Sequence, residues 1–250
     1  MVSCGDQPSE SRTEWLPDQD PFKFRIDTMT FLDSVRSRKI PVALYHESNG
    51  IPSYMNRVII FSHGYNFNAP NSYRAYSYLT DTLAKLGYLV ASVQHELPGD
   101  DTIAFEGDIQ TLRLPFWESG TANIRYVYGE LQRKGRISQD AKVTLIGHSN
   151  GGDISTFLSQ SDSMIVDELI TLDHLRVKTP LRNSLRVLSI RATDKNPDPG
   201  VFPKEPYPSN FKVLKLKQTN HSDMSDGNTA EQQKEILGPL IEFLKSRVEL

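Results

Sequence analysis

Residues 143–152 have the sequence VTLIGHSNGG, a short apolar run followed by the pattern Gly-x-Ser-x-Gly. The apolar run predicts a buried strand, and residues 151–158 show a helical pattern. Ser149 then occupies a tight turn from strand to helix, where side chains in place of Gly147 and Gly151 would collide with neighbouring elements. Such a turn holds the hydroxyl clear of the sheet edge and directs the first helical amides towards a developing negative charge. The segment therefore predicts a nucleophilic serine, whereas the plainer alternative is a glycine-rich turn with a surface serine.

Apolar, β-branched runs alternate with helical patterns on both sides of this segment. Strands are predicted at 22–31, 40–46, 57–62, 88–93, 142–146, 168–172, 185–191 and 211–216. Helices are predicted at 73–86, 118–134, 151–158 and 229–247. This alternation is typical of an α/β fold, here with a mostly parallel central sheet of about eight strands and helices on both faces. The first two strands are joined by a short turn and are expected to be antiparallel. Because no change in composition marks a linker, we expect a polar N-terminal tail at 1–20 and a single domain at 21–250.

The composition of the 250 residues is that of a globular protein, with 38% hydrophobic and 24% charged residues. Lys and Arg number 28 against 31 Asp and Glu, so the chain lacks the basic excess that nucleic-acid binding requires. No apolar run approaches the ~18 residues of a membrane span, and no transmembrane segment is expected. The single cysteine excludes an internal disulfide and a cysteine-rich metal site.

The first residues leave two cellular locations open. The sequence Val-Ser-Cys-Gly at positions 2–5, ahead of a polar stretch, resembles the cleavage site of a bacterial lipoprotein, with Cys4 as the lipid-bearing residue. The apolar segment that such a site requires does not occur in the sequence. The alternatives are therefore a cytoplasmic protein in which Cys4 is an ordinary thiol, and an exported lipoprotein.

Four short motifs follow one another along the chain. They are FSHGY at 61–65, GHSNGG at 147–152, RATD at 191–194 and NHSDM at 220–224. In this order they resemble the α/β-hydrolase family, in particular small serine esterases without a cap domain, and the resemblance covers nearly all of the chain from about residue 22. It implies an oxyanion loop, a serine nucleophile, an acid and a histidine, in that order, with no cofactor.

The base that activates the serine is expected to be His221. A serine hydroxyl is a weak nucleophile until a base accepts its proton, and histidine titrates in the useful range. His221 follows the last predicted strand, in a loop that lies at the carboxyl edge of a parallel sheet beside Ser149. His148 is adjacent to the nucleophile in sequence and is expected to point elsewhere and to pack in the interior.

Two aspartates compete for the role of the acid that orients the histidine. Asp194 follows the strand at 185–191 and is preferred. Asp173 follows the preceding strand, at 168–172, and is the alternative acid. Other aspartates near the end of the chain are interpreted as turn and cap residues.

The oxyanion hole is expected to consist of two backbone N–H groups, those of Asn150 and Tyr65. Four further residues are candidates for the substrate pocket, although each has a structural alternative as a turn, cap or core residue. These candidates are His63, Asn66, Phe105 and Trp117. The acidic residues at 100, 101 and 106 lack the spacing of metal ligands, so no metal is expected.

Together these features predict a serine hydrolase that cleaves carboxylic esters through an acyl-enzyme intermediate. Only residues 174–184 separate Asp173 from the next strand, which is too short for a lid domain and favours short- to medium-chain soluble esters. A peptidase, amidase or thioesterase could use the same three residues. A non-catalytic binding module of the same fold is the alternative of a different class. The oligomeric state does not follow from the sequence.

Overall fold

The computed structural model describes residues 24–47, 57–161 and 165–246. The strands are β1 (Phe24–Asp33), β2 (Arg38–Glu47), β3 (Val58–Ser62), β4 (Leu89–Val93), β5 (Val143–His148), β6 (Val166–Leu172), β7 (Arg186–Arg191) and β8 (Phe211–Lys215). The helices are α1 (Ser77–Lys85), α2 (Ile109–Arg133), α3 (Asn150–Ser161) and α4 (Ala230–Lys245). Two short 3₁₀ turns cover Ser72–Arg74 and His221–Met224. The predicted tail at 1–20 and its Cys4 lie outside the described residues.

The strands form one sheet in the order β1-β2-β4-β3-β5-β6-β7-β8. From β4 to β8 all neighbouring strands are parallel, whereas β2 is antiparallel to both β1 and β4. The prediction of a mostly parallel sheet of about eight strands that begins with an antiparallel pair is confirmed. Because the strand order reverses at β3, the carboxyl ends of β3 and β5 border a crevice of the kind in which α/β proteins bind ligands.

Helices cover both faces of the sheet. Alternate residues of each buried strand face opposite sides, as the period of two requires. Ile60 of β3 packs in a cluster with Ile124 of α2 and Ile154 of α3. Ile59, the residue before Ile60 in β3, packs in a second cluster with Leu83 of α1 and with residues of α4. Each strand at the centre of the sheet therefore contributes to two apolar layers, which agrees with its continuous apolar sequence.

Helix α2 begins earlier than its sequence predicts. The apolar spacing at Ile124, Val127, Tyr128 and Leu131 predicts a helix that starts at residue 118. The structure instead starts α2 at Ile109, after Asp108, whose side chain accepts a hydrogen bond from the Thr111 amide at 3.4 Å. Pro115 lies inside the helix and Trp117, only 2% exposed, packs in the core. Burial of the indole favours the helical conformation despite the hydrogen bond that Pro115 cannot make.

Within the described residues, no helix combines the length and apolar character needed to cross a bilayer. In the same ranges, no group of three or more His, Cys, Asp or Glu side chains is arranged to hold a metal ion.

Candidate active site

Ser149 occupies a strained turn between β5 and α3. Its φ angle is 51°, in the left-handed region that non-glycine residues rarely adopt. The neighbouring glycines make this turn possible. A Cβ atom on Gly147 would lie 2.3 Å from the Gly151 carbonyl oxygen, and one on Gly151 would lie 2.3 Å from the Ser62 carbonyl oxygen. The strand–turn–helix geometry expected from the sequence is therefore present, and it holds the Ser149 side chain at the carboxyl edge of the sheet.

The structure brings Ser149 and His221 together. His221 is the first residue of the 3₁₀ turn that follows β8, and its Nε2 lies 2.9 Å from Ser149 Oγ. In the neutral imidazole, Nε2 accepts the hydroxyl proton when Nδ1 carries the ring hydrogen. This arrangement allows proton transfer from the serine to the histidine.

Asp173 holds the other ring nitrogen of His221. His221 Nδ1 donates to Asp173 Oδ2 at 2.6 Å, which fixes the tautomer that proton acceptance at Nε2 requires. Asp173 directly follows β6, is fully buried and has a φ angle of 54°. Its second oxygen accepts the Ala192 amide at 3.1 Å and lies 2.7 Å from Arg191 Nη2. The buried carboxylate is thus paired on both oxygens, as a buried charge must be.

The preference for Asp194 as the residue that orients the imidazole is corrected by this geometry. Asp194 is exposed, and its Oδ1 accepts the backbone N–H of His221 at 2.7 Å. It therefore holds the main chain of the histidine loop, and the alternative Asp173 contacts the ring. The physical reason is the distance from the sheet. Asp173 is the first residue after β6. Asp194 is the third residue after β7, and its carboxylate contacts the main chain of His221 instead of the ring.

The two amides predicted for the oxyanion hole border the same cleft as Ser149. Asn150 begins α3, and its N–H belongs to the first turn, where helical amides have no partner within the helix. The Tyr65 N–H donates no hydrogen bond within the described residues, whereas the preceding Gly64 N–H donates to Tyr76 Oη at 3.0 Å. Tyr65 and Asn150, the residues that carry the two candidate amides, therefore both line the cleft that contains Ser149.

His148 belongs to a hydrogen-bonded chain that the sequence did not predict. Tyr76 Oη donates to His148 Nδ1 at 2.8 Å, and His148 Nε2 donates to the carbonyl oxygen of His221 at 3.1 Å. Burial lowers the pKa of His148 to about 3, so the ring stays neutral and donates from one nitrogen only. With the bond from Gly64 to Tyr76, this chain joins the oxyanion loop to the loop of His221. The sequence indicated packing alone, because nothing in it shows which partners a histidine beside the nucleophile meets.

A second buried network fixes the side chain of Asn150. Asn150 Nδ2 donates to Glu96 Oε1 at 3.0 Å, and Trp117 Nε1 donates to Asn150 Oδ1 at 3.3 Å. Burial raises the pKa of Glu96. The indole of Trp117, a candidate for the substrate pocket, thus lies in the core, where it contacts the side chain of Asn150.

His63, another pocket candidate, is also buried behind the site. Its Nδ1 donates to the Gly64 carbonyl oxygen at 2.8 Å, and its Nε2 accepts the His95 amide at 3.1 Å. The residue is 2% exposed and shapes the oxyanion loop from within. A buried histidine in a loop and one that lines a pocket look alike in sequence.

Two clefts meet at Ser149. The first, which we call the polar cleft, has a volume of about 340 Å³. Its lining consists mainly of hydroxyl, amide and imidazole side chains and contains the candidate Asn66. The residues are Gly64, Tyr65, Asn66, Ser72, Ala75, Tyr76, His148, Ser149, His221, Ser222 and Ser225.

The second, which we call the cationic cleft, has a volume of about 320 Å³. It combines aromatic and charged side chains and contains the candidate Phe105. The residues are Tyr65, Phe67, Ile103, Phe105, Arg113, Ser149, Asn150, Asp153, Leu175, Arg176, Lys195 and His221. Phe67 and Phe105 are 73% and 59% exposed, and their ring centres lie 6.1 Å apart. They form an aromatic rim on this side of the nucleophile.

No family model and no curated protein matches the sequence. Solved structures match its fold. A protein described as a dienelactone hydrolase from Klebsiella pneumoniae subsp. pneumoniae MGH 78578 is similar at 13% identity, with a TM-score of 0.60 over 88% of this chain and 98% of that one. A sugar hydrolase from Lactococcus lactis is similar at 12% identity and a TM-score of 0.61, over 90% and 99% of the two chains. A dienelactone hydrolase-like promiscuous phosphotriesterase from metagenomic libraries has 12% identity and a TM-score of 0.59, over 89% and 98%.

Proposed function

Since the chain has the α/β-hydrolase fold, we propose that it is a serine hydrolase that cleaves carboxylic esters through an acyl-enzyme intermediate. One observation carries the proposal. Ser149 Oγ lies 2.9 Å from His221 Nε2, and His221 Nδ1 lies 2.6 Å from the buried carboxylate of Asp173. The names of the similar structures, which include hydrolases and an esterase, support the same class of activity.

In the first half of the reaction, Ser149 Oγ attacks the carbonyl carbon of the ester while His221 Nε2 takes the hydroxyl proton. Asp173 stabilises the resulting imidazolium through its hydrogen bond to Nδ1. The carbonyl oxygen becomes negatively charged and is stabilised by the amides of Tyr65 and Asn150. When the tetrahedral intermediate collapses, His221 donates its proton to the leaving alkoxide, and the alcohol departs.

In the second half, water attacks the acyl-enzyme and His221 takes one of its protons. The intermediate collapses with cleavage of the bond between the acyl carbon and Ser149 Oγ. His221 returns the proton to that oxygen, so the free acid leaves and the starting protonation state is restored. Every proton in this sequence passes through His221 Nε2, and the reaction as written consumes only the ester and water.

A fluorophosphonate probe tests the proposal, because such probes phosphonylate serines that a base activates. We expect a mass increase on the peptide that contains Ser149, and loss of this label in Ser149→Ala. Ser119→Ala is the matched control, since Ser119 is an exposed serine of α2 outside the site. It should label as the wild type does. A panel of ester, thioester and amide substrates then separates the esterase from a thioesterase or a peptidase. Absence of labelling would favour a binding module and contradict the proposal.

A further inference from the structure

Arg113 of α2 is a nearly buried arginine whose guanidinium forms no ion pair with a carboxylate of the described residues. The residue is 6% exposed. Its Nε donates to the Ala104 carbonyl oxygen at 2.7 Å. Within the described residues its guanidinium forms no ion pair, and its Nη atoms donate no hydrogen bond. Arginine remains charged at neutral pH, so a full positive charge is held here with little hydration and, within the described residues, without a carboxylate at ion-pair distance.

Arg113 belongs to the wall of the cleft that contains the nucleophile. It lines the cationic cleft together with Ser149 and His221. Its Nη atoms are not among the fully buried polar atoms that lack a partner, so they retain some contact with solvent. The guanidinium carbon lies 5.3 Å from the centre of the Phe105 ring, which restricts the orientation of the group. A guanidinium with two unbonded Nη groups and a restricted orientation is thus part of the cleft that contains Ser149.

The two carboxylates whose charges act on Arg113, those of Asp153 and Asp198, form no ion pair with it within the described residues. Asp153 is 1% exposed, and its Oδ1 accepts the amides of Arg176 and Val177 at 2.8 and 3.0 Å. The Arg176 side chain pairs with Asp198. Burial lowers the pKa of Arg113, and the charge of Asp153 opposes this shift only in part. A buried charge without an ion-pair partner is costly in free energy. We therefore expect an anion to bind beside Arg113 when the substrate is bound.

We propose that Arg113 binds an anionic group of the ester substrate, a carboxylate or a phosphate, through its two Nη groups. This inference rests on the proposed function, since it concerns the substrate of the same Ser149 site. A planar guanidinium presents parallel N–H groups that match two oxygens of such an anion. The exposed rings of Phe67 and Phe105 then cover the apolar part of the molecule between the anion and the ester bond.

The test uses matched substrates on the purified full chain. One set is the para-nitrophenyl monoester of glutaric acid and the same compound with its free carboxylate converted to a methyl ester. The two compounds differ in the charge at the end of the acyl chain. The second set is a meta-carboxyphenyl ester of butyric acid and its neutral methyl ester, which places the anion on the alcohol side. A para-nitrophenyl ester of a phosphonoalkanoic acid, compared with the glutaric monoester, distinguishes a phosphate-like anion from a carboxylate. We expect at least one anionic substrate to exceed its neutral partner in kcat/KM by about tenfold or more.

Two variants of Arg113 and one control locate the preference. Arg113→Met keeps the length of the side chain and removes the charge, so the ratio of kcat/KM for the anionic ester to that for its neutral partner should fall to about one. Arg113→Lys keeps the charge without the paired N–H groups and should retain part of the preference. Arg133→Met removes an exposed arginine of the same helix and should leave the preference unchanged. Free glutarate or phosphate should also raise the Tm of the wild type and not that of Arg113→Met.

The outcomes separate this inference from the proposed function. Hydrolysis of neutral esters with labelling of Ser149, but without preference for any anionic substrate, would overturn the role of Arg113 and leave the hydrolase intact. Equal loss on charged and neutral esters in Arg113→Met would show a structural role and would also overturn the inference. Absence of both labelling and hydrolysis would contradict the proposed function, and the inference with it.

Discussion

The polar cleft and the cationic cleft meet at Ser149 and share Tyr65 and His221, but their other walls differ. Among the described residues, the polar cleft is lined mainly by hydroxyl, amide and imidazole groups and contains no lysine or arginine. The cationic cleft contains Arg113 and two further basic residues beside an aromatic rim. A nucleophile between two such surfaces can distinguish the two halves of an ester by their charge, and this distinction is what the predictions below test.

The networks behind the two clefts also differ in what they hold. On the side of the polar cleft, Tyr76 donates to His148, and His148 donates to the carbonyl oxygen of His221, so this chain positions the base. Behind the cationic cleft, Glu96 and Trp117 contact the side chain of Asn150 and so position the start of α3. Damage on the polar side should therefore affect proton transfer, and damage on the cationic side should affect substrate binding and the oxyanion site.

The largest effect is expected from the residue that both clefts share. Ser149→Ala removes the nucleophile and leaves the backbone of the turn in place. Because the members of a catalytic triad act as a unit, the loss in kcat should be on the order of 10⁶-fold, as in the corresponding serine protease variant. The measurement is ester hydrolysis, with circular dichroism to show that the variant is folded. A variant that keeps most of its rate on both charged and neutral esters would contradict the mechanism.

The next effect separates the two aspartates near His221. Asp173→Asn presents an amide to Nδ1 and favours the wrong tautomer, and the analogous change in a serine protease costs about 10⁴-fold in kcat. Asp194→Asn is the matched control. It weakens a bond to the main chain of His221 and should cost about tenfold or less, because removing a charge from an exposed hydrogen bond costs on the order of 1 kcal/mol. Steady-state kinetics on a neutral ester measures both. The reverse order would restore Asp194 as the acid.

Much of this site could be predicted from the sequence, and the parts that could not are tertiary properties. Ser149 follows from the steric pattern of its glycines, and the parallel sheet then places a loop after the last strand beside it. Asp173 and Asp194 each follow a strand, and their spacing in the sequence does not show which of the two carboxylates contacts the imidazole of His221. The predicted start of α2 was wrong, because the prediction rested on the apolar spacing from Ile124 onwards and did not include the burial of Trp117 in the core. The lack of a partner for Arg113 is visible only once its neighbours are in place.

A smaller effect tests the polar side through pH. Burial lowers the pKa of His148 to about 3 and that of His174 to about 3, below their ordinary value of 6.5. Between pH 6.5 and 3 these residues are protonated in the unfolded chain and neutral in the folded one, so stability falls as the pH is lowered through this range. His148→Gln removes one titrating group and should reduce this slope by up to about 1.4 kcal/mol per pH unit.

Urea unfolding at a series of pH values measures that slope. His174→Gln should give a similar reduction, since His174 is bonded to Thr171 and Thr179 in a separate buried position. Only the change at His148 should also lower kcat, because only that histidine contacts the loop of the base. An unchanged slope in both variants would show that these residues do not remain neutral in the folded protein.

The smallest effect concerns esters with neutral acyl chains, because we expect neither cleft to bury such a chain completely. Between β6 and β7 the described chain forms a loop without a helix, so this segment supplies no lid. The aromatic rim adds partial cover only, since Phe67 is 73% exposed. Each added methylene should therefore gain less than the ~0.8 kcal/mol of full burial, which is less than about fourfold in kcat/KM. We expect kcat/KM to be highest for acetate to hexanoate esters, with no rate increase when the substrate forms micelles. A steady rise in kcat/KM up to palmitoyl esters would mean that a closed apolar tunnel holds the acyl chain. The acyl group would then bind in neither the polar cleft nor the cationic cleft.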